Sequence, residues 1–329
     1  MLNWRISLAI FCIYGVLVEC GSTTSPPKNL YYFSSTDIVF GEHPIVHVID
    51  LATGDTVKSQ TLTQFPRGTV LSALNKEDSE TDLLLFGYRK IPSGWEYFLS
   101  SFNVNEFNMT TVASVNTTVG LDLFDPAPSF GYDADLNAIF DLFTIEGYMN
   151  ITKYDFNQNE LDYIYVPNPS SEPLNFQPSG AYDSVNKVYY INFYNENSEL
   201  EIAQYGVESG QLNSSHIYAH YPNYPITNLF VLNGELYASY NQGNFETLFY
   251  RVNQNNNTFT LLANVPDNIG FGETVFAYNQ NYIVFITHLS KTKILLTTLN
   301  VETLEKTTVT SPISNFPNYP LPVPVAAVL

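Results

Sequence analysis

"AYDSVNKVYYINFYN" occupies residues 181–195, and it decides the fold. Four Tyr sit in it, and the polar break at Asp183 to Lys187 splits two apolar runs. Aromatic and β-branched residues suit pleated, half-buried surfaces. Asp, Ser and Asn between such runs are turn chemistry. The stretch therefore reads as a hairpin. Its near-copies recur: an apolar run, Tyr or Leu, Asn or Asp, then a second apolar run. They lie at "SALN" (72–75), "FGYD" (130–133), "GAYD" (180–183), "FVLN" (230–233) and "FAYN" (276–279). In "LNGELYASY" the pair Asn233-Gly234 is a strong hairpin signal.

A second hairpin recurs six times, as "VIDLATGDTV", "SFNVNEFNMT", "KYDFNQNELD", "QYGVESGQLN", "YRVNQNNNTF" and "TLNVETLEKT". We align its turn positions as Asp50, Asn103, Asp155, Gly206, Arg251 and Asn300. Their spacing of roughly 45–53 residues falls in the range of propeller blades. Each unit then holds four short strands, a to d. In the opening unit these are "PSGAY", "KVYYINFY", "LEIAQYG" and "QLNSSHIYA". One such sheet cannot bury both its faces, so neighbours must stack around an axis.

The second hairpin occurs six times and the first five. The chain opens its pattern at "KNLYYFSS", which reads as strand b, and ends it at "LPVPVAAVL", which reads as strand a without a blade of its own. Lending that last strand to the first blade closes the ring and removes an edge. The fold expected is all-β: a six-bladed propeller of four-stranded antiparallel blades, closed by the C-terminal strand. Its repeat pattern resembles the YVTN-type and quinoprotein-type propellers, whose outer strands are joined by turns like "DLATG" (50–54). The chain lacks a Trp-Asp mark and an adjacent Cys pair.

The N-terminus, MLNWRISLAIFCIYGVLVECGS, has a positive Arg5 and an apolar run from Ile6 to Val18. That run is shorter than the about 20 residues of a membrane span. It reads as a signal peptide over residues 1–20, then a short linker (21–29) and one domain (30–329). Sequons begin at Asn108, Asn116, Asn150, Asn213 and Asn256. With the signal they point to a glycosylated protein that is secreted or held in the secretory-endolysosomal lumen. No membrane span is expected after cleavage, and a monomer is expected. Cys12 and Cys20 are the only cysteines, so thiolate metal sites are excluded. The net charge of −19 argues against nucleic-acid partners.

Three constellations could carry function. Loops between strand d and the next strand a repeat an aromatic-proline theme at Phe65, Tyr221, Tyr224, Phe316 and Tyr319. These aromatics either ring the channel mouth as ligand anchors or plug the gaps between blades. A small basic-aromatic group, Arg67, Arg89, Lys90, His43 and Trp95, maps to the same end of blades 1 and 2. It would suit a carboxylate or sulfated sugar. Glu273, Asn228 and Asp125 lie near the starts of innermost strands. Some six-bladed enzymes of the gluconolactonase-like group hold an axial calcium with such oxygen ligands, and that resemblance implies a calcium-assisted hydrolase or lactonase. No nucleophile motif is present. The favoured reading is a binding scaffold for an extracellular protein or carbohydrate that needs no cofactor.

Overall fold

The computed structural model describes residues 25–34, 43–74, 81–118, 130–145, 148–166, 179–195, 197, 199–218, 226–241, 246–266, 275–279, 281–290, 292–312 and 326–328. These form six antiparallel four-stranded sheets, a six-bladed β-propeller. From the innermost strand outward, blade 1 is β24 (Ala326–Val328), β1 (Asn29–Ser34), β2 (Ile45–Asp50) and β3 (Thr56–Thr61). Blade 2 is β4 (Val70–Leu74), β5 (Asp82–Ile91), β6 (Gly94–Asn103) and β7 (Asn108–Thr117). Blade 3 is β8 (Gly131–Asp133), β9 (Ala138–Ile145), β10 (Tyr148–Asp155) and β11 (Glu160–Val166). Blade 4 is β12 (Ser179–Asp183), β13 (Val188–Tyr194), β14 (Leu200–Gly206) and β15 (Leu212–Tyr218). Blade 5 is β16 (Ile226–Leu232), β17 (Glu235–Asn241), β18 (Glu246–Asn253) and β19 (Thr258–Pro266). Blade 6 is β20 (Val275–Asn279), β21 (Tyr282–Ser290), β22 (Lys293–Asn300) and β23 (Lys306–Pro312).

The ring closes as the repeat count requires. β24 pairs antiparallel with β1, Leu30 opposite Val328 and Tyr32 opposite Ala326. Each inter-blade gap holds its own apolar cluster. β13 shows how one strand serves two of them. Val188 and Tyr190 pack toward blade 5, while Tyr189, Ile191 and Phe193 pack toward blade 3. This is why "VYYINF" is continuously apolar: a strand buried on both faces has no polar side to alternate with. The sixth gap joins Leu30, Tyr32 and Ile49 of blade 1 to Val284, Ile286 and Leu296 of blade 6. The outermost strands are exposed and half-exposed instead, alternating from Asn213 to Ile217 in β15.

Among the described residues, the end of the propeller formed by the a–b and c–d turns repeats one device in most of its turns. The side-chain oxygen of an Asp or Asn accepts backbone N–H groups two and three residues on. Asp50 does so from Ala52 and Thr53, Asn103 from Asn105 and Glu106, Asp155 from Asn157 and Gln158, and Asn300 from Glu302 and Thr303. Four residues after each stands a left-handed residue: Gly54, Phe107, Asn159 and Leu304. In blade 5 the same place belongs to Asn253, which accepts from Asn255 N–H at 3.1 Å and is followed by left-handed Asn257. The alignment on Arg251 is thereby corrected by two residues. Arg251 carries no side-chain acceptor for the turn, and it lies within β18. The Asn233-Gly234 turn between β16 and β17 has φ of 52° and 72°. Two consecutive positive φ values match a two-residue turn with the twist of its strands.

Candidate binding face

The b–c hairpins lie at the opposite end of the propeller. There the d–a loop entering blade 2 (62–69) and the b–c hairpin of blade 2 carry five of the sequence candidates. Phe65 is buried and stacks on Phe98 at 5.6 Å and 14°. It belongs to the cluster between blades 1 and 2. Of its two readings the structure places it in the gap, so Phe65 is a plug rather than a ligand anchor. The loop is tied around it. His43 Nδ1 lies 2.6 Å from the Phe65 carbonyl oxygen, which can only accept, so Nδ1 bears the proton. Thr69 Oγ1 donates to the Pro66 carbonyl at 2.8 Å, and Gly68 takes a left-handed φ of 74°. Arg67, between Pro66 and Gly68, is exposed.

β5 and β6 carry their hairpin to Ile91 opposite Gly94. Gly94 has φ of 142°, and a Cβ there would meet the Thr117 carbonyl oxygen at 2.2 Å. Only glycine allows that approach, which pins the hairpin to the end of β7. The hairpin sorts the candidates onto two sides of the blade. Arg89 lies opposite Glu96 and pairs with its Oε2, and its guanidinium sits 5.6 Å from the Phe98 ring centre. Arg89 is thus neutralised toward blade 1. Lys90 lies opposite Trp95. Trp95 is half-buried and packs 6.3 Å from Tyr88 on the blade 3 side. Lys90 is exposed beside it. The group read as one spot therefore leaves two free-standing cations, Arg67 and Lys90, with Trp95 as the aromatic.

Asn228 lies on the innermost strand of blade 5 and is buried. Its Nδ2 donates to Ser239 Oγ at 3.2 Å, while Oδ1 has no hydrogen-bond partner. The neighbouring even-numbered residues Phe230 and Leu232 pack toward blade 6, so this amide faces the blade 5–6 gap near the channel. Glu273 and Asp125 lie outside the described residues, as do Tyr221, Tyr224, Phe316 and Tyr319.

The sequence reading missed a polar lock at the turn end between blades 3 and 4. The Asp133 side chain is 0% exposed. It accepts from Lys187 Nζ at 2.8 and 2.9 Å, from the Tyr182 hydroxyl, and from the N–H groups of Asp135 and Leu136. Lys187 also reaches Asp135 at 2.9 Å. Burial alone would raise the Asp133 pKa, but the bonds from Lys187, Tyr182 and Leu136 outweigh it and hold the carboxyl below its ordinary value. Burial likewise works against the Lys187 charge, and the two carboxylates overcome it and raise its pKa. One signal was visible. Lys187 occupies a left-handed turn position, φ 54°, where Gly or Asn is usual. Phe107 and Leu304 take the same left-handed position in other turns, so the turn itself sets this backbone, and at Lys187 it aims Nζ at Asp133 of blade 3.

No protein-family model matches the sequence, and no curated protein is significantly similar to it. Among solved structures, TolB from Acinetobacter baumannii superposes with a TM-score of 0.56 at 10% identity. That match covers 92% of this chain and 66% of the TolB chain, just under two thirds of its length. Apo AztD from Citrobacter koseri gives a TM-score of 0.43 at 12% identity, over 93% of this chain and 98% of that one. An oligogalacturonate lyase in complex with manganese gives 0.42 at 11% identity, over 86% and 85%. The TolB likeness is one of fold alone.

Proposed function

We propose that the protein is an exported, glycosylated binding scaffold whose loop-bearing face takes an extracellular protein or a carbohydrate. The observation that carries this reading is the state of the cations on blade 2. Arg89 is consumed by Glu96, whereas Arg67 on the loop entering blade 2 and Lys90 near the end of β5 are exposed, Lys90 directly opposite a half-buried Trp95. On a chain with net charge −19, two free cations and an aromatic select an anionic group. A carboxylated or sulfated sugar, or an acidic segment of a protein, has that chemistry. Export is supported by the N-terminal segment and by four sequon asparagines, Asn108, Asn116, Asn213 and Asn256, all exposed. Sulfated and carboxylated glycans on an array, and pull-down from extracellular medium, test the reading with wild type against an Arg67→Ala, Lys90→Ala double variant. Binding that drops at least tenfold in the variant supports it. Equal binding removes this face from the proposal.

A second reading is favoured by the unengaged Oδ1 of Asn228. It is a buried amide oxygen on an innermost strand with no hydrogen-bond partner, the kind of oxygen a hard cation takes. With Glu273 and Asp125 it would form part of a calcium site for a hydrolase or lactonase. A cation bound only to the folded chain raises its melting temperature by mass action. Melting curves with calcium and with chelator, on wild type and Glu273→Gln, separate the two readings. A binding scaffold shows no shift in either protein. A shift in wild type that vanishes in Glu273→Gln establishes the calcium reading.

A further inference from the structure

We infer that Asn150 carries a glycan whose first sugar packs on Tyr165, so that this glycan is part of the outer wall between blades 2 and 3. The inference rests on the proposal that the protein is exported and glycosylated. Asn150 differs from the other four sequon asparagines. Asn108, Asn116 and Asn213 lie on outermost strands and Asn256 in a turn. Asn150 lies on β10, a strand hydrogen-bonded on both sides, and is only partly exposed. A glycan there must leave the protein along the sheet surface, over whatever stands beside Asn150.

What stands beside it is aromatic. Among the described residues the exposed aromatic side chains are Tyr163 (43%) and Tyr165 (58%). Both project from the same face of β11. Tyr165 is directly opposite Asn150, and Tyr163 is directly opposite Thr152, the third residue of the same sequon. Residues opposite each other in an antiparallel pair share a face with Cβ atoms about 5 Å apart. A pyranose attached to Asn150 Nδ2 therefore reaches the Tyr165 ring without rearrangement of the sheet. Its axial C–H groups can lie on the aromatic face. Two tyrosines two residues apart on a strand are about 7 Å apart, which lets a second sugar reach Tyr163.

Thr152 fixes the order of events. Its side chain is fully buried, and its Oγ1 has no hydrogen-bond partner. The hydroxyl needed for transfer is accessible only before the blade forms, so the sugar is attached to the unfolded chain and the tyrosines close on it afterwards.

The test uses the full chain from a glycosylating host. Peptide mass spectrometry measures occupancy at each sequon. Melting temperatures are taken for wild type, Asn150→Gln, Tyr165→Ala and the double variant, with Asn213→Gln as a rim control. We expect Asn150 to be occupied. Asn150→Gln and Tyr165→Ala should each lower Tm by about 2–4 °C, the double variant no further, and Asn213→Gln by less. Should Asn150→Gln fail to fold, wild type trimmed to one N-acetylglucosamine should keep its Tm while full enzymatic deglycosylation lowers it. Glycans at Asn108, Asn213 or Asn256 with Asn150 bare would overturn the inference alone, as would additive effects in the double variant. No glycan at any sequon would overturn the glycoprotein proposal and this inference with it.

Discussion

At the turn end of the propeller, Asp50, Asn103, Asp155, Asn253 and Asn300 each commit a side-chain oxygen to the backbone of their own turn. At the loop end of blade 2, Arg67 and Lys90 stand in solvent while the residues around them are tied down. The first set is local, repeated and structural. The second is unrepeated and has no internal task. In a repeat protein a function seldom needs six copies of a residue, so departures from the repeat are where a binding role is to be sought. The lock formed by Asp133 and Lys187 is a departure too, but it is buried and satisfied, which marks it as structural.

The largest expected effect concerns closure. Deleting Leu321 to Leu329 removes β24, exposes the edge of β1 and opens the apolar gap between blades 1 and 6. Thermal unfolding should show a greater loss than any single substitution described here. A melting temperature equal to wild type would mean that the C-terminal strand does not hold the ring.

Next comes the lock between blades 3 and 4. Lys187→Met leaves the buried Asp133 carboxylate without its cation. Removing one partner of a buried pair costs about 3–5 kcal/mol. The value here should be nearer 2–3 kcal/mol, because the Lys187 side chain is 34% exposed and Tyr182 still holds the carboxylate. Chemical denaturation measures it, and a loss below about 0.5 kcal/mol would class the pair with ordinary surface ion pairs. The pH dependence has a definite sign. The Asp133 pKa is lower folded than unfolded. Its contribution is therefore complete above the unfolded value, 3.8, and is lost as pH falls through the folded one. Lys187, whose pKa is raised on folding, contributes fully below 10.5 and loses that contribution in more alkaline solution. Asp133→Asn should flatten the acid limb of the stability profile relative to wild type; parallel acid limbs would remove Asp133 from the account.

Much of the turn end was legible because an Asx turn is a local event. A residue and the two that follow it suffice to place it. The exception shows the limit. In "YRVNQNNNTF" four asparagines crowd the turn, and it takes the Asn255 N–H bond and the left-handed φ at Asn257 to identify Asn253 as its start. The loop end was less legible because its outcome depends on neighbours in space. Phe65 looked the same in sequence whether it faced ligand or Phe98, 33 residues away in the chain. Arg89 and Glu96 became a pair only once the hairpin register placed them opposite each other. Lys187 meets a carboxylate 54 residues away, in the neighbouring blade. Such contacts follow from the angle between sheets, which no stretch of sequence encodes by itself.

The corrected turn in blade 5 offers a smaller test. Asn253→Ala removes the acceptor for the Asn255 N–H and should cost about 1 kcal/mol. Arg251→Ala removes a half-exposed pair with Glu235 and a contact 5.9 Å from the Tyr237 ring. It should cost about 0.5 kcal/mol or less. The reverse order in chemical denaturation would restore the alignment on Arg251.

The smallest effect on stability, and the sharpest contrast between the two ends, is expected of Arg67→Ala combined with Lys90→Ala. Neither side chain is buried, and substitutions at such surface positions usually fall within ±0.5 kcal/mol. The melting curve should coincide with that of wild type. Binding to an anionic ligand should not. An attraction between exposed charges is screened over about 8 Å at physiological ionic strength and over about 3 Å at 1 M salt. Wild-type affinity should therefore fall as salt is raised, and the double variant should start low and show little further salt dependence. Arg89→Ala supplies the matched comparison, because its charge is already answered by Glu96. It should leave the salt dependence of binding intact while disturbing the hairpin. A double variant that binds and responds to salt as wild type does would show that the loop end of blade 2 is as structural as the turn end, and the contrast between the two would fall.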